Sequence, residues 1–192
     1  MSKYLTLAAI SVICICNGCI SLGQEKIVSV DKETNYSIYP PYGWSFDNLS
    51  DEYPNMKRFV SPKIRGEYYR PFLNIVVEST NIGAEEYVEK HKAEVLASVE
   101  GCELVEETAV EIGSRWQLVY KMEDVDTHER LISCENYIFD KNKVYIITFT
   151  STSVQWERLK ELFFYSFETF KINYKEPEVL DSKSVSPSRY SA

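Results

Sequence analysis

From Cys102 to Thr150 apolar and polar residues alternate with a period of two, interrupted only by short polar turns, and this stretch limits the available folds more than any other. Leu104 to Ile112 turns at Gly113-Ser114 into Trp116, Leu118, Tyr120 and Met122. The acidic run Glu123 to Asp126 turns into Leu131 to Phe139, and Lys141-Asn142-Lys143 turns into Val144 to Phe149. A period of two sends successive side chains to opposite faces of a strand, and turns this short leave no room for a crossover helix. The stretch is therefore read as consecutive antiparallel hairpins.

The segments on either side extend this reading. Tyr36-Ser37-Ile38-Tyr39 alternates like a half-buried strand, and Pro40-Pro41-Tyr42-Gly43 must turn, because prolines fix φ and remove ladder donors. Trp44-Ser45-Phe46, Lys57 to Val60 and Phe72 to Val77 supply three more strands. A helix follows. Ile82 and Tyr87 flank Gly83 as a hydrophobic staple, Glu86 stands where a capping glutamate belongs, and Gly101 lies just past the end. Its apolar stripe is Ala84, Tyr87, Val88, His91, Val95 and Val99. A second helix opens on a capping box of Thr152 and Gln155, with a stripe of Leu159, Leu162, Phe163, Phe167 and Phe170. The expected fold class is α+β, an antiparallel β-sheet packed by two main helices.

The two ends of the chain have other compositions. Lys3 precedes an apolar run from Leu5 to Ile15, too short for a comfortable permanent membrane span, and Cys16-Asn17-Gly18-Cys19 follows. Residues 1–18 are read as a lipoprotein-type signal peptide, with Cys19 as the acylated mature N-terminus; Cys16 stands where Leu is usual. Ordinary cleavage after Ser21-Leu22-Gly23 is the competing reading. Residues 19–35 form a tether, 36–174 the domain, and 175–192 a tail rich in Ser, Pro, Glu and Lys that cannot bury enough surface to offset its ordering. The expected location is the cell envelope of a bacterium, after export, with the membrane reached through a lipid anchor.

Charge and cysteine content exclude several classes of function. Loss of Lys3 with the signal moves the formal net charge from −8 to −9, which disfavours nucleic acid and anionic headgroups as partners. Five cysteines become three on cleavage at Cys19, and acylation of Cys19 leaves Cys102 and Cys134. That even remainder permits a disulfide, while the apolar surroundings of Cys134 suit a small buried hydrophobe. No Cys/His cluster remains to hold zinc, and no cofactor motif is present.

Tyr36-x-Ile38-x-Pro40-Pro41-x-Gly43-Trp44, one helix after the Phe72 to Val77 strand, a long antiparallel meander, and a closing helix with Ser166-Phe167 together resemble the PsbP-like superfamily, including its bacterial DcrB-type lipoproteins. The resemblance spans roughly Tyr36 to Ile172. It implies an α/β/α sandwich that different members use for docking to photosystem II, for binding the Ran GTPase, or for envelope roles. It supplies no shared catalytic set.

Candidate chemistry is sparse. His91 falls on the sheet-facing stripe of the first helix and reads as a boundary histidine; His128 sits in a polar turn. Asp124, Asp126 and Glu129 lack the glycine and spacing of a calcium loop and read as a solvated acidic turn. Gly-x-Ser-x-Gly and glycine-rich phosphate loops are absent. Asn35-Tyr36-Ser37 and Asn48-Leu49-Ser50 match glycosylation acceptors, which matter only in a eukaryotic secretory setting. Aromatic content is the remaining unusual feature, with 14 Tyr, 9 Phe and 3 Trp. Most belong in the core, but Phe164 and Tyr165 fall off the second helix's stripe, and Tyr68-Tyr69-Arg70 lies in a loop. These five residues are the expected contacts for an envelope protein partner, because aromatic and arginine side chains most often anchor interfaces. A non-catalytic docking module is the leading reading, and a hydrolase or small-ligand binder with a site invisible in sequence is the other.

Overall fold

A computed structural model describes residues 27–28, 36–47, 53, 55–111 and 114–172. Cys19, the signal 1–18, the tail 175–192 and both glycosylation acceptor asparagines lie outside the described residues.

Among the described residues twelve elements follow one another: β1 (Ile27–Val28), β2 (Tyr36–Ile38), β3 (Ser45–Asp47), β4 (Met56–Val60), β5 (Phe72–Ser79), α1 (Ala84–Ser98), β6 (Glu103–Glu111), β7 (Arg115–Glu123), β8 (Arg130–Asp140), β9 (Lys143–Thr152), α2 (Ser153–Glu168) and β10 (Lys171–Ile172). Seven strands form one sheet in the order β3-β4-β5-β9-β8-β7-β6, and β1, β2 and β10 form a small second sheet. Among the described residues every strand pairing is antiparallel. The meander read from the sequence is β6 to β9. In the seven-stranded sheet the one non-sequential neighbour, β5 beside β9, closes the sheet around the excursion through α1.

The alternation of each strand gives the sheet two buried faces. Leu73, Ile75, Val119, Ile132, Cys134, Ile147 and Phe149 point to one side and pack under Trp156, Leu159 and Phe163 of α2. Leu118, Tyr120, Tyr137, Val144 and Ile146 point to the other and pack under Val88, Tyr87 and Val95 of α1. The result is the expected helix–sheet–helix sandwich. The two sides are unequal: α1 buries only Val88 completely, while α2 buries Gln155, Phe163 and Ser166. The small sheet adds to the α2 side, where Tyr36 meets Tyr145 and Phe170 at ring distances of 6.2 and 5.3 Å. The Pro-x-Gly-Trp turn also lies there: the Trp44 amide donates to the Pro41 carbonyl at 3.1 Å, Gly43 adopts φ +77, and the Trp44 ring stacks on Phe149.

Three expectations change. Cys102 and Cys134 are free, because they lie on opposite sides of the sheet, Cys102 against the α1 cluster and Cys134 inside the α2 cluster. Leu162 is exposed rather than on the core stripe of α2. The buried face instead follows Gln155, Phe163, Ser166 and Phe170, turned by the capping box, in which the Gln155 amide donates to Thr152 Oγ1 and the Thr152 amide to Gln155 Oε1. Ile27–Val28, inside the stretch read as tether, pairs with β2.

Candidate functional site

The five aromatic and arginine candidates do not share one environment. Loop 61–71 joins β4 to β5 and is fixed along its length. The Arg70 guanidinium donates twice to the Ser61 carbonyl, at 3.1 and 2.7 Å, tying the two ends of the loop together. The Gln155 side chain donates to Glu67 at 2.7 Å and to the Tyr69 carbonyl at 3.2 Å, and Arg158 donates to Glu67 at 3.0 Å. Those bonds, the Gln155 one foremost, hold the Glu67 carboxyl below its ordinary range. Tyr69 turns inward, half-buried with its ring 6.3 Å from Phe72. Burial pushes its phenol above the ordinary range, and the charge of Asp124 adds to the effect. Tyr68 points the other way and is 90% exposed. A fixed loop thus presents one bare aromatic.

On α2, Phe164 is half-buried against Trp156 and Phe163, at ring distances of 6.2 and 5.5 Å, whereas Tyr165 is 54% exposed. Phe164 and Trp156 form one wall of a groove of about 550 Å³, with Val105 and Val119 across from them. Tyr165 belongs to another flank. Arg158, Leu162 and Tyr165 stand at i, i+4 and i+7, one stripe on the outside of the helix. The ion pair of Arg158 with Glu67 connects that stripe to loop 61–71. Tyr68, Arg70 and Tyr165 are therefore surface groups, and Tyr69 and Phe164 are their half-buried supports.

The histidines part company. His128 is solvent-exposed with Nδ1 2.8 Å from Glu123 Oε1, and Asp124 Oδ1 accepts from the amides of Asp126 and Thr127 and from the Thr127 hydroxyl, closing the turn. His91 is more deeply placed. Its Nδ1 lies 2.8 Å from the Tyr137 hydroxyl, which also donates to the Glu135 carboxylate, and its ring stacks on Tyr87. Tyr87 in turn donates to Glu78 at 2.6 Å. Burial pushes the Glu135 carboxyl above its ordinary range, opposed by Tyr137 and His91. His91, Tyr87, Glu78 and Glu94 line an open depression of about 370 Å³. Glu135 was missed at the sequence level. The signal was present: Glu135 is the one charged residue between Leu131 and Phe139, on the parity of Leu131, Ser133 and Tyr137 that faces α1. Among the described residues no group of three or more His, Cys, Asp or Glu side chains is placed to hold a metal ion, and no helix is long and apolar enough to cross a membrane.

No family model matches the chain, and no curated protein matches it. Solved structures do. The Ran-binding protein Mog1p of Saccharomyces cerevisiae superposes with a TM-score of 0.54 at 10% identity, covering 78% of this chain and 96% of its own. LpqN of Mycobacterium tuberculosis, involved in cell envelope biogenesis, gives 0.60 at 12% identity over 77% of this chain and 88% of its own. The PsbP protein of the cyanobacterium Synechocystis gives 0.55 at 15% identity over 78% and 93%. Identities this low establish the fold alone. The chain has the Mog1/PsbP-like fold, as the Pro-x-Gly-Trp turn and the element order implied.

Proposed function

We propose that this chain is a lipid-anchored envelope protein whose folded domain, residues 36–174, docks a protein partner without catalysing a reaction. The observation that supports this reading most is the outer stripe of α2. Arg158, Leu162 and Tyr165 are placed outward on a helix whose other face already fills the core, and the stripe continues through Glu67 into the braced loop that bears Tyr68. Tyrosine and arginine on a rigid support lose little conformational freedom on binding, which favours their use as anchors. Neighbours of the same fold include a Ran-binding protein and a protein of envelope biogenesis, which fits a binding role in an envelope setting. Cys19 supplies the anchor in this reading.

The test is crosslinking and pull-down from the membrane fraction, comparing the wild type with a Leu162→Glu, Tyr165→Glu double variant. Both positions are exposed, so the variant is expected to fold. A discrete partner captured by the wild type and lost in the variant is the expected result. Equal capture by both moves docking elsewhere, and turnover in an activity screen with no partner overturns the non-catalytic reading. Intact mass of the extracted protein decides Cys19: a free N-terminus at Gln24 sinks the anchor.

A further inference from the structure

The two helices are held to the sheet in different ways. Whereas a capping box fixes the start of α2, α1 begins at Gly83, which offers no side-chain cap. It ends before Gly101, which adopts φ +70, and a Cβ added at either glycine would meet nothing within 4 Å. Backbone rotation at both ends of α1 therefore meets no obstacle. Between them Val88 is its one fully buried side chain. Among the described residues three side-chain ties complete the attachment. Lys92 donates to Glu107 on β6 at 2.8 Å and Tyr87 to Glu78 on β5 at 2.6 Å, both at the surface. The third runs from His91 through Tyr137 into the buried Glu135 carboxyl.

Tyr137 has one hydroxyl proton and two partners. While it donates to a Glu135 carboxylate, its oxygen accepts from His91 Nδ1–H; once Glu135 is protonated, the carboxyl donates to Tyr137 and the hydroxyl turns to His91 Nδ1. Both arrangements leave all three groups bonded, and an imidazolium at His91, with Nδ1 3.8 Å from Glu135 Oε2, offsets the carboxylate charge. Without that proton an anion is left beneath the helix. His91 is the one cation among the described residues that bears on Glu135. The other groups facing Glu135 are Tyr137 on β8, Tyr87 on α1, Tyr120 on β7 and Cys102 ahead of β6, and its register partner on β9 is the uncharged Thr148. His91 shares its depression with Glu78 on β5 and with Lys90 and Glu94 on α1, and the Lys90 ammonium pairs with Glu94 at 3.8 Å. Glu107 on β6 is held by Lys92.

We propose that the Glu135–Tyr137–His91 chain is a proton-operated clamp on α1: while the chain holds its shared proton the helix stays on the sheet, and loss of that proton lets it swing away on its glycine ends. Burial pushes the Glu135 carboxyl above its ordinary range while α1 is closed, and lifting the helix returns it to water. The closed form thus holds the proton to higher pH than the open form, so rising pH favours opening and falling pH favours closure. His91 lines an open depression, which gives the proton a way to solvent while the sheet stays intact. The face bared by opening is that of Leu118, Tyr120, Tyr137, Val144 and Ile146, on the side of the sheet opposite α2. It is separate from the outer stripe of α2, and the clamp stands or falls independently of docking there.

Hydrogen exchange of the full chain is followed from about pH 5 to about pH 9 and expressed as protection factors, which removes the intrinsic pH dependence of exchange. In the wild type the amides from Tyr87 to Val95 are expected to lose protection several-fold or more as pH rises. α2 is expected to stay the more protected helix at every pH, which shows the domain folded. The loss on α1 should share its midpoint with the change in the nitrogen chemical shifts of the His91 ring. Glu135→Gln keeps an acceptor for Tyr137 and has no proton to lose, so its α1 protection is expected to stay level over the same range. Tyr137→Phe cuts the chain between two intact ends, and the His91 change is then expected to part from the α1 midpoint. A wild-type α1 whose protection is level with pH overturns the clamp. So does a Glu135→Gln protein that loses protection as the wild type does, which assigns the loss to the surface ties at Glu78 and Glu107. If Glu135→Gln does not fold, Tyr137→Phe decides: an α1 midpoint that still coincides with the His91 change overturns the proposal, and two separate midpoints uphold it.

Discussion

Glu135 is the residue at which burial and charge conflict most sharply. Its carboxyl is faced by Tyr137 on its own strand, by His91 and Tyr87 on α1, by Tyr120 on β7 and by Cys102 ahead of β6. Burial raises its folded pKa above the unfolded value of about 4.3. The unfolded chain therefore holds fewer protons across that window, and the Glu135 contribution to stability, intact below the unfolded pKa, is lost as pH rises through the folded one. Glu135→Gln keeps an acceptor for the Tyr137 hydroxyl and removes the buried charge. It is expected to gain about 1 kcal/mol over the wild type at pH 7 and nothing at pH 4, measured by urea unfolding. A wild-type advantage at pH 7 contradicts this. The two cysteines give a second residue-scale test. Burial pushes the Cys134 thiol up to about 12 and also raises the half-buried Cys102. In native protein Cys102 is expected to alkylate with iodoacetamide while Cys134 reacts only at the rate of unfolding, read by peptide mass.

Among the elements, α2 does more than cover the core. Thr152 and Gln155 form its capping box, and the same Gln155 holds loop 61–71 through Glu67 and the Tyr69 carbonyl. The substitution Thr152→Ala removes only the cap and should cost about 1 kcal/mol. Gln155→Ala removes the cap and both loop bonds, so it should cost more and also speed hydrogen exchange at Tyr68, Tyr69 and Arg70. Equal exchange in the two variants would separate the loop from the helix. Phe163 lies at the centre of the α2 face, stacked on Phe149 at 5.1 Å, and Phe163→Ala should cost about 3–5 kcal/mol in chemical denaturation.

For the molecule as a whole, one sheet shared by two cores makes a single cooperative unit. Trp116 packs on the α1 side and Trp44 and Trp156 on the α2 side, yet fluorescence variants that keep only one side's tryptophans should report the same unfolding midpoint. Within the native state α1 should exchange its amides faster than α2, because Val88 is its only fully buried side chain. The seven strands of the main sheet, β2, both helices and the Thr152 cap were legible in the sequence, since periodicity, turn residues and caps are local properties of neighbouring residues, whereas the short β1 and β10 were not. The Pro-x-Gly-Trp turn and the element order pointed to the fold for the same reason. Contacts between distant segments were not legible. The phase of the α2 stripe is fixed by the Gln155 cap and by Phe149 below it, which exposed Leu162 and tucked Phe164 away. Face parity separated Cys102 from Cys134, although each is a plausible thiol on its own. The meeting of His91 with Tyr137 and Glu135 depends on which face of the sheet α1 covers. Sequence determined the elements because each forms from its own residues, and tertiary structure alone decided the surfaces because a surface is made by residues that are neighbours only after folding.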